Sequence, residues 1–133
     1  MVAYADVAVA CHHTVISRAM LDRLAPFAEQ VATAAIISFN TVSHSLGGLA
    51  AVLGNDEQAD AYFADAAAFN ERAGAKFFAA RTNLSWGTML AERDTPRDTQ
   101  RARELLTAAQ SLATNHGYAA IERHATTALE HLH

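Results

Sequence analysis

The second half of the chain predicts helices, because its apolar residues follow the spacing of a helix face. Ala59, Phe63 and Ala66 are separated by four and then three positions, which places them on one side of a helix. Glycine commonly ends a helix in the left-handed conformation, and it closes such stretches at Gly54, Gly74 and Gly117. We therefore predict one helix closing at Gly74, one over 76–93, one ending at Gly117 and a last one over 118–132.

Polar residues mark where two of these helices begin. Asn55 or Asp56 can cap the helix that follows Gly54, and acidic residues in a first turn suit the positive end of the helix dipole. For the helix that ends at Gly117, Thr95 can be the N-cap with Pro96 in the first helical position. The alternative is that 94–100 forms a loop and the helix starts near Asp98.

The first half of the chain has a less regular pattern, and it also predicts helices. Residues 3–23 indicate one helix whose buried positions include Val7, Ala10, Val15 and Leu21. Pro26 indicates a turn, a short helix over 27–33 follows, and a further helix starts at Asn40 or Thr41 and ends at Leu53. A continuous helix over 27–53 is the alternative. No stretch requires a strand, so we predict an all-α fold of six or seven helices.

Composition supports one helical domain over residues 1–133. About half of the chain is apolar, at 51%, and alanine, the best helix former, is frequent. The formal charge of −4 argues against a nucleic-acid-binding surface, which needs a basic stripe. Cys11 is the only cysteine, which favours a reducing cytoplasm, and the apolar stretches 1–13 and 31–39 are too short to span a membrane.

Two segments of the chain share one pattern of large and small residues. Leu46-Gly47 and Trp86-Gly87 are forty positions apart. Downstream of each pair, three residues alternate small, large and small: Ala59, Phe63 and Ala66 after the first, and Ala102, Leu106 and Ala109 after the second. The second set lies forty-three positions after the first, and three extra residues fit a loop over 95–98.

This pattern resembles the tetratricopeptide repeat, in which two helices form a hairpin and successive hairpins stack. Glycine in the first helix and alanines in the second let the two backbones approach closely, and the large residue fills the volume between them. The resemblance implies a right-handed stack of antiparallel helical hairpins. Glu71 stands where the family commonly has proline, and Leu106 replaces an aromatic residue. An alanine-rich helical bundle with coincidental spacing is the alternative.

Residues 20–117 also look like the C-terminal helical region of large actinobacterial signalling ATPases, some of which carry a cyclase domain or a LuxR-type helix-turn-helix. The resemblance implies a piece or a stand-alone relative of such a regulator, with a non-catalytic role in binding a partner protein or neighbouring domains. No stretch matches a P-loop, a cyclase motif or a DNA-reading helix, so we expect no cofactor and no contact with nucleic acid.

The repeat pattern implies where a partner would bind. In the family the first helices of the hairpins line a concave groove, and the positions that match are His44, Gly48, Arg81, Leu84 and Thr88. Arg81 is the candidate for bidentate pairing with a peptide carboxylate. A salt bridge from Arg81 to an acid of the same chain is the alternative. An incomplete stack could also pair with a second copy, so a homodimer is a further expectation.

Other side chains carry weaker hypotheses. Phe77 and Phe78 are adjacent, so one of them is expected to face outward as a contact surface. Cys11, His12 and His13 are consecutive and cannot converge on one metal ion from a helix, and we expect Cys11 to be buried. His124 and His131 share a helix face without further ligands, so we expect no metal site and no catalytic site.

A different class of function is a small-molecule sensor. The apolar segment after the first helices could line a pocket between them, with Val31, Ile36, Ile37 and Phe39 as its walls.

Overall fold

The computed structural model describes residues 1–34 and 37–132, which contain seven α-helices and one two-stranded hairpin. In chain order the elements are α1 (Val2–Ala10), α2 (Thr14–Leu24), a 3-10 turn (Ala25–Phe27), β1 (Val31–Ala34), β2 (Ile37–Thr41), α3 (Val42–Val52), α4 (Asp56–Arg72), α5 (Lys76–Glu92), α6 (Pro96–His116) and α7 (Ala119–Glu130). The all-α class and the number of helices agree with the prediction. No helix of this part is long and apolar enough to cross a membrane.

The backbone packs as two compact units, Met1–Phe69 and Asn70–His133. Within each unit, helices that follow one another in the chain pack side by side. The expectation of a single domain over residues 1–133 stays a prediction.

The helix predicted over residues 3–23 is wrong, because the chain breaks between α1 and α2. His12 adopts a positive φ of 51°, which interrupts the helix. The ring Nδ1 of His13 then accepts a hydrogen bond from the Ile16 backbone N–H at 3.3 Å and caps α2. Histidine seldom adopts the left-handed conformation and is an uncommon N-cap. The sequence pattern therefore did not predict the break.

The short helix predicted over 27–33 is wrong, and so is the continuous helix over 27–53. The chain instead forms an antiparallel hairpin in which Val31 pairs with Thr41 and Ala34 with Ile37, with a register shift after Ala32. β-Branched residues are frequent in this segment and favour the extended backbone. The turn at Pro26 is present as the 3-10 turn.

Helix α3 begins next to Thr41, one of the two starts predicted for it. The hydroxyl of Thr41 accepts the backbone N–H of His44 at 3.2 Å, so Thr41 is the N-cap. Gly54 follows the helix with a φ of 74°, the left-handed conformation that was predicted for a glycine at this helix end. The carbonyl of Asn55 then accepts the N–H of Ala59 at 2.9 Å, which makes Asn55 the first residue of the next helical ladder.

The first unit has a core of small and medium apolar side chains. Residues buried there come from α1, α2, α3 and α4: Val2, Ala5, Ala8, Leu21, Leu24, Val42, Leu46, Leu49, Ala50, Ala59, Phe63 and Ala66. Leu21 is buried as predicted. Val7, Ala10 and Val15 were expected in the core and are exposed instead, because the break at His12 changes which faces α1 and α2 bury.

Helices α3 and α4 of the first unit meet at Gly47. A Cβ placed on Gly47 would lie 2.8 Å from the ring carbons of Phe63, which is closer than real Cβ contacts. Phe63 is 2% exposed, and Ala59 and Ala66, one turn to either side of it, are fully buried. The small residues therefore lie where the two helices approach most closely, as the repeat pattern requires.

The second unit repeats this contact between α5 and α6. A Cβ on Gly87 would lie 2.8 Å from Cγ of Leu106 and 3.3 Å from the backbone oxygen of Ala102. Ala102, Leu106 and Ala109 are fully buried. Beside them the guanidinium carbon of Arg101 lies 5.3 Å from the centre of the Trp86 ring, a cation–π contact across the same pair of helices.

Helix α6 begins at the first of the two predicted starts. The Thr95 hydroxyl accepts the Asp98 backbone N–H at 3.2 Å and donates to the Asp98 carboxylate at 2.8 Å. Pro96 occupies the first helical position. Helix α6 ends at Gly117, whose φ of 76° turns the chain into α7, and α5, α6 and α7 enclose a small core of Ala80, Ala109, Ala113, Ile121 and Ala125.

Truncating the aromatic ring at the α3–α4 contact tests whether it belongs to the core. Phe63→Ala should lower the free energy of unfolding by about 3–5 kcal/mol, because a fully buried aromatic side chain is lost. Urea unfolding followed by circular dichroism measures the change. A loss within about 0.5 kcal/mol, typical of surface positions, would place Phe63 outside the core.

Adding one methyl group tests the close approach itself. Gly47→Ala should destabilise the protein by roughly 1–3 kcal/mol, since the new Cβ overlaps the Phe63 ring and a packed core resists extra volume. Gly48→Ala is the matched control. The atoms nearest to its Cβ would belong to the side chain of Val9, at 3.1 Å, and Val9 is half-exposed and can move, so this variant should lose less stability.

The two changes at this contact should also be coupled. In the Phe63→Ala background the Gly47→Ala change should become neutral or stabilising, by up to about 1 kcal/mol, because alanine favours the helix once the ring is gone. Equal costs for Gly47→Ala with and without the ring would contradict the proposed contact.

Candidate protein-interaction surface

Three of the predicted groove residues lie along one side of α5. Arg81, Leu84 and Thr88 are spaced by three and four positions, so they follow one another along the same helix face. Phe77, four positions before Arg81, extends this line to the start of the helix. We call Phe77, Arg81, Leu84 and Thr88 the α5 stripe.

The far end of the α5 stripe is anchored to the second unit. Leu84 is half-buried and packs against the core between α5, α6 and α7. Thr88 is exposed, and its hydroxyl donates to the Leu84 carbonyl at 2.8 Å, so a local bond fixes its side chain. Arg81, one turn before Leu84, is half-buried. Its pairing with a partner carboxylate stays a prediction.

The near end of the α5 stripe carries a cluster of aromatic rings. Phe77 is 44% exposed, and its ring meets the edges or faces of Phe78 and Tyr118 at centroid distances of 5.5 and 5.2 Å. His116 stacks on Tyr118 at 5.7 Å, with an angle of 18° between the rings. We call Phe77, Phe78, Tyr118 and His116 the aromatic cluster. Phe77 is the outward member of its pair and Phe78 is half-buried.

Edge-to-face contacts hold the exposed ring in place. The planes of Phe77 and Tyr118 meet at 89°, an arrangement that aromatic pairs prefer. Tyr118 in turn packs against the core of the second unit. Phe77 is therefore an exposed apolar side chain whose ring is supported by contacts with two neighbouring rings.

The start of α5 places a lysine and no acidic residue beside the aromatic cluster. Lys76 is exposed in the first turn, which contains no acidic residue, and the N-cap Ala75 has no side chain that could cap the helix. The unbonded N–H groups of a helix start carry partial positive charge. A negatively charged group is thus favoured next to Phe77.

His44, the fourth predicted groove residue, lies in the first unit and is 7% exposed. Its ring packs against Phe63 at 5.7 Å with the planes 78° apart. Gly48, which was placed in the groove with it, faces Val9 of α1. In this packing both residues serve contacts within the first unit, and His44 offers little surface to a partner.

Polar side chains near the start of α3 form hydrogen bonds within the first unit. The Ser45 hydroxyl donates to the Asp6 carboxylate of α1 at 3.1 Å, and the Ser43 hydroxyl donates to the Ala28 carbonyl.

Two further hypotheses concern metals and reactive sulfur. Within ranges 1–34 and 37–132, no three His, Cys, Asp or Glu side chains come close enough together to hold a metal ion. The expectation that Cys11 is buried is wrong, since it is exposed at the end of α1. The cause is again the break at His12, which leaves Cys11 outside any helix interior.

Of the residues suggested for a sensor pocket, the structure describes the side chain of Val31 alone. Val31 is 43% exposed and so does not line an enclosed cavity. Ile36 lies outside the described residues, and the side chains of Ile37 and Phe39 are also outside them.

Sequence reasoning missed two members of the aromatic cluster, Tyr118 and His116. The sequence indicates these two residues only indirectly, through the glycine between them. Gly117 between them ends α6 and returns the chain towards the start of α5, so the flanking rings come to lie beside Phe77. The spacing within α5 alone contains no sign of this contact.

Comparisons with family models, with curated proteins and with solved structures found no match to this chain.

Proposed function

We propose that this protein is a non-catalytic interaction module of a bacterial signalling or transcriptional regulator. It binds a partner protein, or a neighbouring domain of its parent, through the α5 stripe and the aromatic cluster. The proposal places the protein in the cytoplasm. Its link to actinobacterial regulators rests on the resemblance of residues 20–117 described above.

The repeated helix contact supports a tetratricopeptide-like arrangement. Gly47 against Phe63 and Gly87 against Leu106 are the same contact made twice, each flanked by buried alanines. In such repeats the first helix of a hairpin faces the partner. Helix α5 is the first helix of the hairpin it forms with α6, so the exposed parts of the α5 stripe are the surface expected to bind.

The observation that carries the proposal is the exposure of Phe77 on a rigid ring support. Interfaces gain most of their free energy from a few large side chains, and aromatic residues held in one conformation lose little entropy on binding. The positive field at Lys76 adds a preference for an acidic neighbour. The partner we expect therefore presents an apolar side chain flanked by a carboxylate.

The test begins with proteins that the immobilised chain retains from a lysate of its source, followed by reconstitution of each with purified components. Phe77→Ser should weaken binding of the true partner at least about tenfold, as for the loss of an aromatic anchor. Isothermal titration calorimetry measures the affinity. Val15→Ser, which alters an exposed apolar residue on α2, should leave it unchanged.

Thermal melts and native mass spectrometry provide the controls for this experiment. The thermal melt of Val15→Ser should match the wild type, and Phe77→Ser should melt cooperatively with a small decrease, since its ring contacts with Phe78 and Tyr118 are lost. Binding that survives Phe77→Ser would contradict the proposed surface. A small molecule retained by the purified protein in native mass spectrometry would contradict the function itself and favour a sensor.

A further inference from the structure

Large apolar side chains are exposed mainly at the start of the chain. Eight are exposed among the residues that the structure describes, and seven of them lie between Met1 and Val31. Two belong to the middle of α1, where Tyr4 is 72% and Val7 61% exposed. Single exposed apolar residues are ordinary, but adjacent ones on a single helix face indicate a contact surface.

The exposed side of α1 is a continuous apolar strip. It consists of Ala3, Tyr4, Val7, Ala10 and Cys11, which follow one another at helical spacing, and we call it the α1 face. The opposite side of α1 is buried in the first unit through Val2, Ala5 and Ala8. Asp6 is the only charged side chain of the helix, and it accepts a hydrogen bond from Ser45 of α3. The α1 face itself carries no charge.

The order of large and small residues makes this face complementary to itself. If a two-fold axis passes beside Val7, the α1 helices of two copies run antiparallel and residue i lies opposite residue 14 − i of the other copy. The bulky Tyr4 then lies opposite Ala10, and Ala3 opposite Cys11. The two tyrosines thus each lie opposite an alanine, the two Val7 side chains meet at the axis, and the ends of the strip pair small residues, so that no two bulky rings collide.

We propose that the α1 face binds a second copy of this chain, with the two α1 helices antiparallel across a two-fold axis at Val7. Antiparallel helix dipoles attract one another, whereas a parallel pair would set like ends together and Tyr4 against Tyr4. An uncharged face is matched by another uncharged face, because a charged partner group would lose its water without gaining a counter-charge.

The size of the α1 face sets the strength of this association. Nine helical residues extend over only about 13 Å, which is short compared with interfaces that bury about 800 Å² per partner. The dimer is therefore weak and reversible, and its population depends on protein concentration. This inference concerns α1 in the first unit and is independent of the partner surface proposed on α5.

Cysteine cross-linking tests both the contact and its direction. In the antiparallel pair a cysteine at position 3 lies opposite the native Cys11 of the other copy, within reach of a disulfide. Ala3→Cys should therefore form disulfide-linked dimers on mild oxidation at roughly 100 µM protein, a concentration suited to a weak interface. On one helix the same two positions are about 12 Å apart, too far for an internal disulfide.

Two controls separate specific pairing from random collision. Wild type has a cysteine only at position 11, and the Ala3→Cys, Cys11→Ser double variant has one only at position 3. In the antiparallel dimer, each of these cysteines lies far from the same cysteine of the other copy. Both should give at least about tenfold less dimer than Ala3→Cys, as expected when sulfurs cannot meet. Val7→Cys with Cys11→Ser places the sulfur at the axis and should cross-link well.

The outcomes decide the proposal. Strong cross-linking of wild type would show a parallel pair, and equal cross-linking in all variants would show collision alone, so either result overturns it. Absence of dimer from both Ala3→Cys and the Val7→Cys variant also overturns it.

Sedimentation velocity provides a readout that needs no cysteine. The sedimentation coefficient of wild type should rise with concentration, and Val7→Glu should abolish the rise by placing two like charges at the axis. Val15→Glu, at an exposed valine of α2, is the matched control and should behave as wild type. A concentration-independent monomer in wild type would overturn the proposal. Binding of a partner to the α5 stripe should be unaffected by Val7→Glu.

Discussion

The contact between a helical glycine and a large apolar side chain is the constraint on which both units depend. Gly47 lies against Phe63 in the first unit, and Gly87 lies against Leu106 in the second. Neither position has room for a Cβ, so the two helices of each pair are closer than ordinary side chains would allow. The flanking alanines extend the close approach along α4 and α6, and the large residue fills the space that the small ones leave. Much of the core is therefore built from alanine.

Tight pairing of helices leaves other faces uncovered, and these are the surfaces that we propose as binding sites. In the second unit the rings of Phe77 and Tyr118 are braced against each other at the start of α5, beside a helix end whose positive field is uncapped. In the first unit, α1 buries one side and exposes an uncharged apolar strip on the other. The first surface suits a partner with an apolar anchor and a carboxylate, and the second suits an identical helix.

The second half of the chain was predictable because local and tertiary signals agree there. Gly54, Gly74 and Gly117 all adopt the left-handed conformation that glycine favours, and Thr95 caps α6. The first half was less predictable, since its break depends on His12 in a backbone conformation that histidine seldom adopts. The hairpin at 31–41 was missed because its strands are only four and five residues long, and apolar runs of that length fit a short helix equally well. The α5 stripe could be predicted from residue spacing. Tyr118 and His116 reach the aromatic cluster only because the chain turns back at Gly117, which spacing does not reveal. His44 was predicted in the groove and is instead buried against Phe63.

Proton NMR tests the central contact directly, without altering the chain. The α-proton of Gly47 that points where a Cβ would lie should face the Phe63 ring. Its resonance should then shift upfield through the ring current and show nuclear Overhauser effects to the aromatic protons of Phe63. The matching proton of Gly87 should show such effects to the methyl groups of Leu106. Glycine α-protons at ordinary positions, with no cross-peak to these side chains, would contradict the account.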